Sequence, residues 1–133
     1  MMGDRANFGI KMDESNTLFV YGHYAGHEMM NRFSTALLRV RNADRLQDPE
    51  YATRIVISSL VGEDHSGDYG WGISLNYLVD NEHSFPVVDF SEGTVSLYEA
   101  NEPIGGKPKF VMTIDKFILK FVKDKSVLNL ITV

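Results

Sequence analysis

Between Val20 and Met29 the chain changes its hydrophobic period, and that change limits the folds open to it. Upstream, Ala6, Phe8, Ile10 and Met12 alternate with other residues, which is the period of a strand. After the turn Asp13-Glu14-Ser15-Asn16, residues 17–21 resume the same pattern, so the two strands are expected to pair as an antiparallel hairpin. Downstream, Met29, Phe33, Ala36, Leu37 and Val40 line one stripe of a helix. The joint between the two regimes is Tyr21-Gly22-His23-Tyr24-Ala25-Gly26-His27, where two glycines permit a sharp turn.

A second helix is signalled by Asp48-Pro49, a capping acceptor followed by proline at the first helical position. Its inward face is Tyr51, Ala52, Ile55, Val56 and Ser59, and Gly62 is a natural stop. Residues 63–70 are polar and read as a loop. A strand over residues 71–78 follows, with Trp71, Ile73 and Leu75 on one face, then the polar loop Asp80-Asn81-Glu82-His83-Ser84. Residues 85–90 and 94–98 flank Ser91-Glu92-Gly93 as a hairpin, and Pro86 places its strand start at an edge or terminus. Residues 99–109, with two glycines and two prolines, form an excursion, and Phe110-Val111-Met112 has the composition of a further short strand. Thr113 caps a last helix with the stripe Ile114, Phe117, Ile118, Phe121 and Val122. The order β-β-α-α-β-β-β-α, with strands in runs, predicts one α+β domain over residues 1–133. Its sheet is mainly antiparallel with three helices on one face, and an apolar tail at 127–133 docks on the sheet or meets another subunit.

Composition narrows the function classes. The net charge of −5 argues against a general nucleic-acid binder, which needs a clustered basic face. Lys116, Lys120, Lys123 and Lys125 read as solvated helix residues. The absence of cysteine removes disulfides and thiolate chemistry and suits a reducing interior. No signal-like N-terminus is expected, and no apolar run approaches the roughly 18 residues that cross a bilayer. The expectation is a cytoplasmic protein with no membrane partner, and a homodimer through strand edges is open.

Four constellations carry chemistry, each beside a purely structural alternative. His23 and His27 are four apart, and Asp64, His65, His83 or Asp89 would have to complete a metal shell. If a helix begins near Gly26, the N–H groups of Gly26 and His27 form an anion seat instead. Arg54 lies beside an apolar helix face, where it serves a carboxylate or phosphate, or pairs with Glu50 or Asp89. Asp80, Glu82, His83 and Asp89 supply the groups of acid–base catalysis, or simply a soluble loop. Tyr21, Tyr24, Tyr69, Trp71 and Tyr77 either stack on a ring, dominate a protein interface, or fill the core. No phosphate-binding loop, dinucleotide fingerprint or serine elbow is present, and no motif calls for a cofactor.

The phrases Gly3-Asp4-Arg5-Ala6-Asn7-Phe8, Tyr21-Gly22-His23-Tyr24-Ala25-Gly26, Tyr51-Ala52-Thr53-Arg54-Ile55, Gly70-Trp71-Gly72-Ile73-Ser74, Asp80-Asn81-Glu82-His83 and Val88-Asp89-Phe90 together resemble a family of small proteins encoded by tailed bacteriophages and some bacteria. Tyr24 stands where that family would carry tryptophan, and residues beyond about Tyr98 are less diagnostic. The resemblance implies a viral or prophage accessory role without implying a mechanism.

The reading favoured over catalysis is an accessory protein that captures a small phosphate-bearing ligand or binds a host protein. Its expected surface is Tyr21, His23, Tyr24, Gly26, His27, Arg54 and Tyr69, with Arg5 nearby. The alternative is a small metal-dependent or acid–base hydrolase built on His23, His27, His83 and Asp89. An acidic nucleic-acid mimic ranks last, because the carboxylates are scattered over many segments.

Overall fold

The structure, a computed structural model, describes residues 3–101 and 106–123; the apolar tail at 127–133 lies outside the described residues. Among the described residues, six strands and three helices follow in the order β1 (Ala6–Lys11), β2 (Thr17–Gly22), α1 (Met29–Asn42), α2 (Pro49–Val61), β3 (Trp71–Leu75), β4 (Phe85–Asp89), β5 (Thr94–Tyr98), β6 (Phe110–Thr113) and α3 (Ile114–Phe121). A short 3₁₀ turn, Gly62–Ser66, follows α2. The expected α+β class holds, and the composition of Phe110-Val111-Met112 does yield the additional strand β6.

The sheet order is β3-β2-β1-β4-β5-β6, and every neighbouring pair is antiparallel except β1 with β4. Alternation gives the sheet two unlike faces. On one, Ala6, Phe8, Ile10, Val20, Val88 and Val95 join the buried stripes of all three helices in one cluster. Phe8 stacks on Phe33 of α1 at 5.6 Å, and Phe33 meets Phe117 of α3 edge-on at 5.9 Å. Each such ring stabilises the fold by about 1.5–3 kcal/mol through removal from water.

The opposite face is covered by a strap. β3 lies at one edge and β4 beyond β1, so residues 76–84 must cross β2 and β1 to connect them. They cross over Asn7, Phe19, Ser74 and Phe85, all buried although they point away from the helices. Phe19 and Phe85 pack edge-on at 5.9 Å, and Phe85 stacks on Tyr98 at 5.4 Å.

Local signals fare unevenly. Gly62 ends α2 with φ 57, a positive φ that glycine adopts without the cost a side chain would add, and the Thr113 hydroxyl accepts from the Lys116 N–H at 3.2 Å. Asp48 does not cap α2; its carboxylate turns to Arg45, 3.7 Å away. β3 ends at Leu75 rather than Leu78, because Asn76 takes φ 66 and starts the strap. Pro86 sits at the start of its strand: the β1–β4 ladder begins only at Val87.

Candidate functional site

Three of the distinctive phrases meet where the strap ends. Arg5 donates its backbone N–H and its guanidinium to one oxygen of Glu82, at 2.9 and 3.1 Å. Glu82 in turn donates its N–H to the Arg5 carbonyl at 3.3 Å. Those donors hold the Glu82 carboxyl below the usual carboxylate range, the backbone N–H of Arg5 contributing most. Asn7, fully buried, donates to the Val79 carbonyl at 2.9 Å and to Asn81 at 3.2 Å, and accepts from the Val79 N–H at 3.3 Å. His83 Nε2 lies 2.6 Å from the Asp4 carboxylate. Gly26 is pressed against that pair: a side chain there would run into the Asp4 carboxylate and the His83 ring.

This arrangement overturns the anion seat. The helix begins at Met29, not near Gly26, and Glu28 precedes it in a left-handed conformation with φ 56. The Gly26 N–H is already given to the Asp4 carbonyl at 2.8 Å. The helix entrance carries its own carboxylate, Glu28, paired with Lys123 and held below its ordinary range chiefly by that lysine. An incoming anion would meet a fixed negative charge where the dipole was to attract it.

The remaining expected residues divide. Tyr21 lies under the strap, its hydroxyl 2.7 Å from His23 Nδ1, and burial pushes its phenol up. His23 is half-buried and meets the Tyr24 ring edge-on at 4.6 Å. His27 is exposed. Arg54 is exposed on α2 and donates to Ser58, 3.0 Å away on the same helix, instead of to Glu50 or Asp89. Asp89 pairs with Lys11 at 3.7 Å, and it ends β4 whereas His83 precedes that strand, so the two catalytic candidates are a strand length apart. Among the described residues no three histidine, aspartate or glutamate side chains gather as a metal site.

Among the described residues, the surface without partners is next door, at β3. Among the described residues, eight large apolar side chains are exposed, and Tyr69, Ile73, Leu75 and Tyr77 are on or beside this one strand. Tyr69 is 91% exposed, Ile73 58% and Leu75 52%. Tyr24, Arg32, Asp64, Tyr69, Gly70 and Trp71 line a hollow of about 230 Å³, in which the Trp71 indole donates to Asp64 at 3.1 Å. Beyond Trp71 an apolar groove of about 290 Å³ runs between Ile73 and the α2 residues Ile57 and Val61. Arg32 therefore holds the place expected of Arg54.

Among the described residues, no strand pairs with the outer backbone edge of β3 either. His23 donates to the Gly70 carbonyl at 2.8 Å, and Asn76 donates to the Thr17 carbonyl at 2.8 Å. These bonds mark the hydrogen-bonded positions at both ends of the β2–β3 register, so alternation makes Gly72 and Ser74 the inward-bonding residues. The N–H and C=O groups of Trp71, Ile73 and Leu75 then face away from β2. The other edge, β6, is four residues long and flanked by lysines: Lys109 precedes it and Lys120 lies over Phe110 at 5.8 Å. Short length and lysine are the usual means of blunting an edge, and the β3 segment Trp-Gly-Ile-Ser-Leu has no charge and no proline. A signal was available in the sequence: no lysine or arginine occurs from residue 55 to residue 106, a block that includes β3 and the strap. The chain matches no protein-family model, and no curated protein and no solved structure matches it.

Proposed function

We propose that the chain is a phage- or prophage-encoded accessory binding protein of the host cytoplasm, which captures an extended segment of a host protein at the β3 edge. The observation that carries this reading is the coincidence, on one strand, of outward-facing backbone groups and exposed apolar side chains. Strand addition uses both: main-chain bonds give affinity, and alternate side-chain pockets give selectivity. The hydrolase alternative loses support, because His23, His83 and Asp89 each serve a separate structural pair.

Ile73→Pro tests the reading. Its N–H faces away from β2, so proline removes an outward donor without removing a bond of the β2–β3 ladder. The variant should keep its melting temperature and lose capture of an extended peptide. Capture at the wild-type affinity would sink strand addition at β3.

A second reading has one observation in its favour: Arg32 with Tyr24, Tyr69 and Trp71 in a single hollow. A phosphate-bearing ring would stack there and pair with Arg32. Asp64 in the same hollow opposes an anion, which ranks this reading second. Arg32→Ala should abolish binding of a nucleotide if it holds, whereas Arg54→Ala should not.

A further inference from the structure

We infer that the segment captured at β3 is anchored by one long apolar side chain, leucine, methionine or phenylalanine, which enters the groove between Ile73 and α2. The inference rests on the β3-edge reading and adds the chemistry that the edge selects. The β2–β3 register decides which side chains are concerned. Trp71, Ile73 and Leu75 stand opposite Gly22, Val20 and Leu18, and Val20 belongs to the core beneath the helices. Side chains alternate along a strand, so these three β3 residues lie on the helix side. A strand added at the outer edge places every second residue on that side as well, about 4.8 Å further out than β3.

The helix layer does not close over β3. Ile57 and Val61 of α2 are only half-buried, and Ile73 is exposed. The groove of about 290 Å³ between them reaches down to Val20, which is itself buried. Trp71 and Ile73 line it and Leu75 does not. A helix-side residue of the added strand that enters between the levels of Trp71 and Ile73 therefore reaches the groove, and one beside Leu75 does not. Length decides what fills it, because the side chain has to pass over Ile73. Valine and threonine stop at Cγ, whereas leucine, methionine and phenylalanine extend further. No charged residue lines the groove, so a charged side chain placed there would lose its water without gaining a partner.

The strap side of the same edge makes no such demand. There β3 presents Gly72 and Ser74. A side chain at Gly72 would meet only the Tyr21 ring, 3.8 Å away, and Ser74 is buried and donates to the Tyr77 carbonyl at 2.7 Å. Strap-side residues of the added strand stand beside a glycine and a buried serine, where side-chain length gains little. Selection thus falls on one face of the captured segment and on one position of that face.

The experiment uses capped synthetic peptides of alternating valine and serine, with one central valine replaced by leucine, phenylalanine, alanine or aspartate, binding to the full chain. Trp71, the only tryptophan and a wall of the groove, reports binding by fluorescence. The leucine and phenylalanine peptides should bind about tenfold tighter than the alanine peptide, as expected of a few more carbons removed from water. The aspartate peptide should bind weakest, and leucine moved to a serine position should give no gain. Val61→Phe, which fills the groove from α2, should bring the leucine and alanine peptides level. Ile57→Ala, which widens it, should favour phenylalanine over leucine. Equal binding of the leucine and alanine peptides, still lost in Ile73→Pro, would overturn the anchor while leaving the β3-edge reading intact. Binding indifferent to Ile73→Pro would overturn both. A dimer seen by light scattering in wild type and absent in Ile73→Pro would overturn the anchor in favour of a second copy at the edge.

Discussion

The strap junction and the β3 edge lie side by side and have opposite characters. At the junction each distinctive polar group has a partner: Arg5 with Glu82, Asn7 with Val79 and Asn81, Asp4 with His83, Tyr21 with His23. At the edge the backbone points outward and apolar side chains meet water. Chemically rich composition thus belongs to the region whose groups are already satisfied. The contrast teaches that a site is better sought where groups lack partners than where they are numerous.

The comparison breaks if the junction proves dispensable for folding. Phe19→Ala, under the strap, should cost about 3–5 kcal/mol, seen as a fall of roughly 10–20 °C in Tm by calorimetry. Asn7→Ala should cost about 2 kcal/mol, because it leaves the Val79 and Asn81 groups without their buried partner. Gly26→Val should cost a similar amount, about 1–3 kcal/mol, by forcing apart Asp4 and His83. A Tm within a degree or so of wild type in these variants would remove the structural account of the junction.

Acid sharpens the comparison more gently. Glu82 has a carboxyl pKa lowered in the fold, so its contribution is fully present above the ordinary glutamate value of about 4.3 and is lost as pH falls through the lower folded value. Amide exchange at Glu82, whose N–H reaches the Arg5 carbonyl, should quicken on acidification below about pH 4 more than general acid destabilisation explains. Glu82→Gln should flatten that step. The smallest effect belongs to Arg54→Ala. Its guanidinium reaches only Ser58 one turn away, so Tm should shift by no more than about 2 °C, and peptide capture should be unchanged.

Much of the fold was legible because its signals are local. The change of period after Val20, the hairpin around Ser91-Glu92-Gly93, the stop at Gly62 and the Thr113 cap depend on residues a few positions apart. The parallel pairing of β1 with β4 was not legible, since residues 76–84 have no periodic pattern to announce a crossover. The same blindness made Asp80-Asn81-Glu82-His83 look catalytic. Its partners are Asp4, Arg5 and Asn7, more than seventy residues away. Arg32 and Arg54 both flank apolar stripes beside Phe33 and Ile55, and only the packing of the two helices decides which reaches the hollow. Of the expected surface, Tyr24 and Tyr69 reach the hollow, Tyr21, His23 and Gly26 belong to the junction, and His27 and Arg54 join neither.

Residue-resolved amide exchange on the full chain, alone and with a saturating extended peptide of alternating valine and serine, tests the central claim most directly. In the free chain Trp71, Ile73 and Leu75 should exchange fast while Gly72 and Ser74 are protected by β2, and the peptide should slow the first three alone. Protection that appears instead at residues 26–29, with Ile73 still exchanging fast, would contradict the claim and return the site to the entrance of α1.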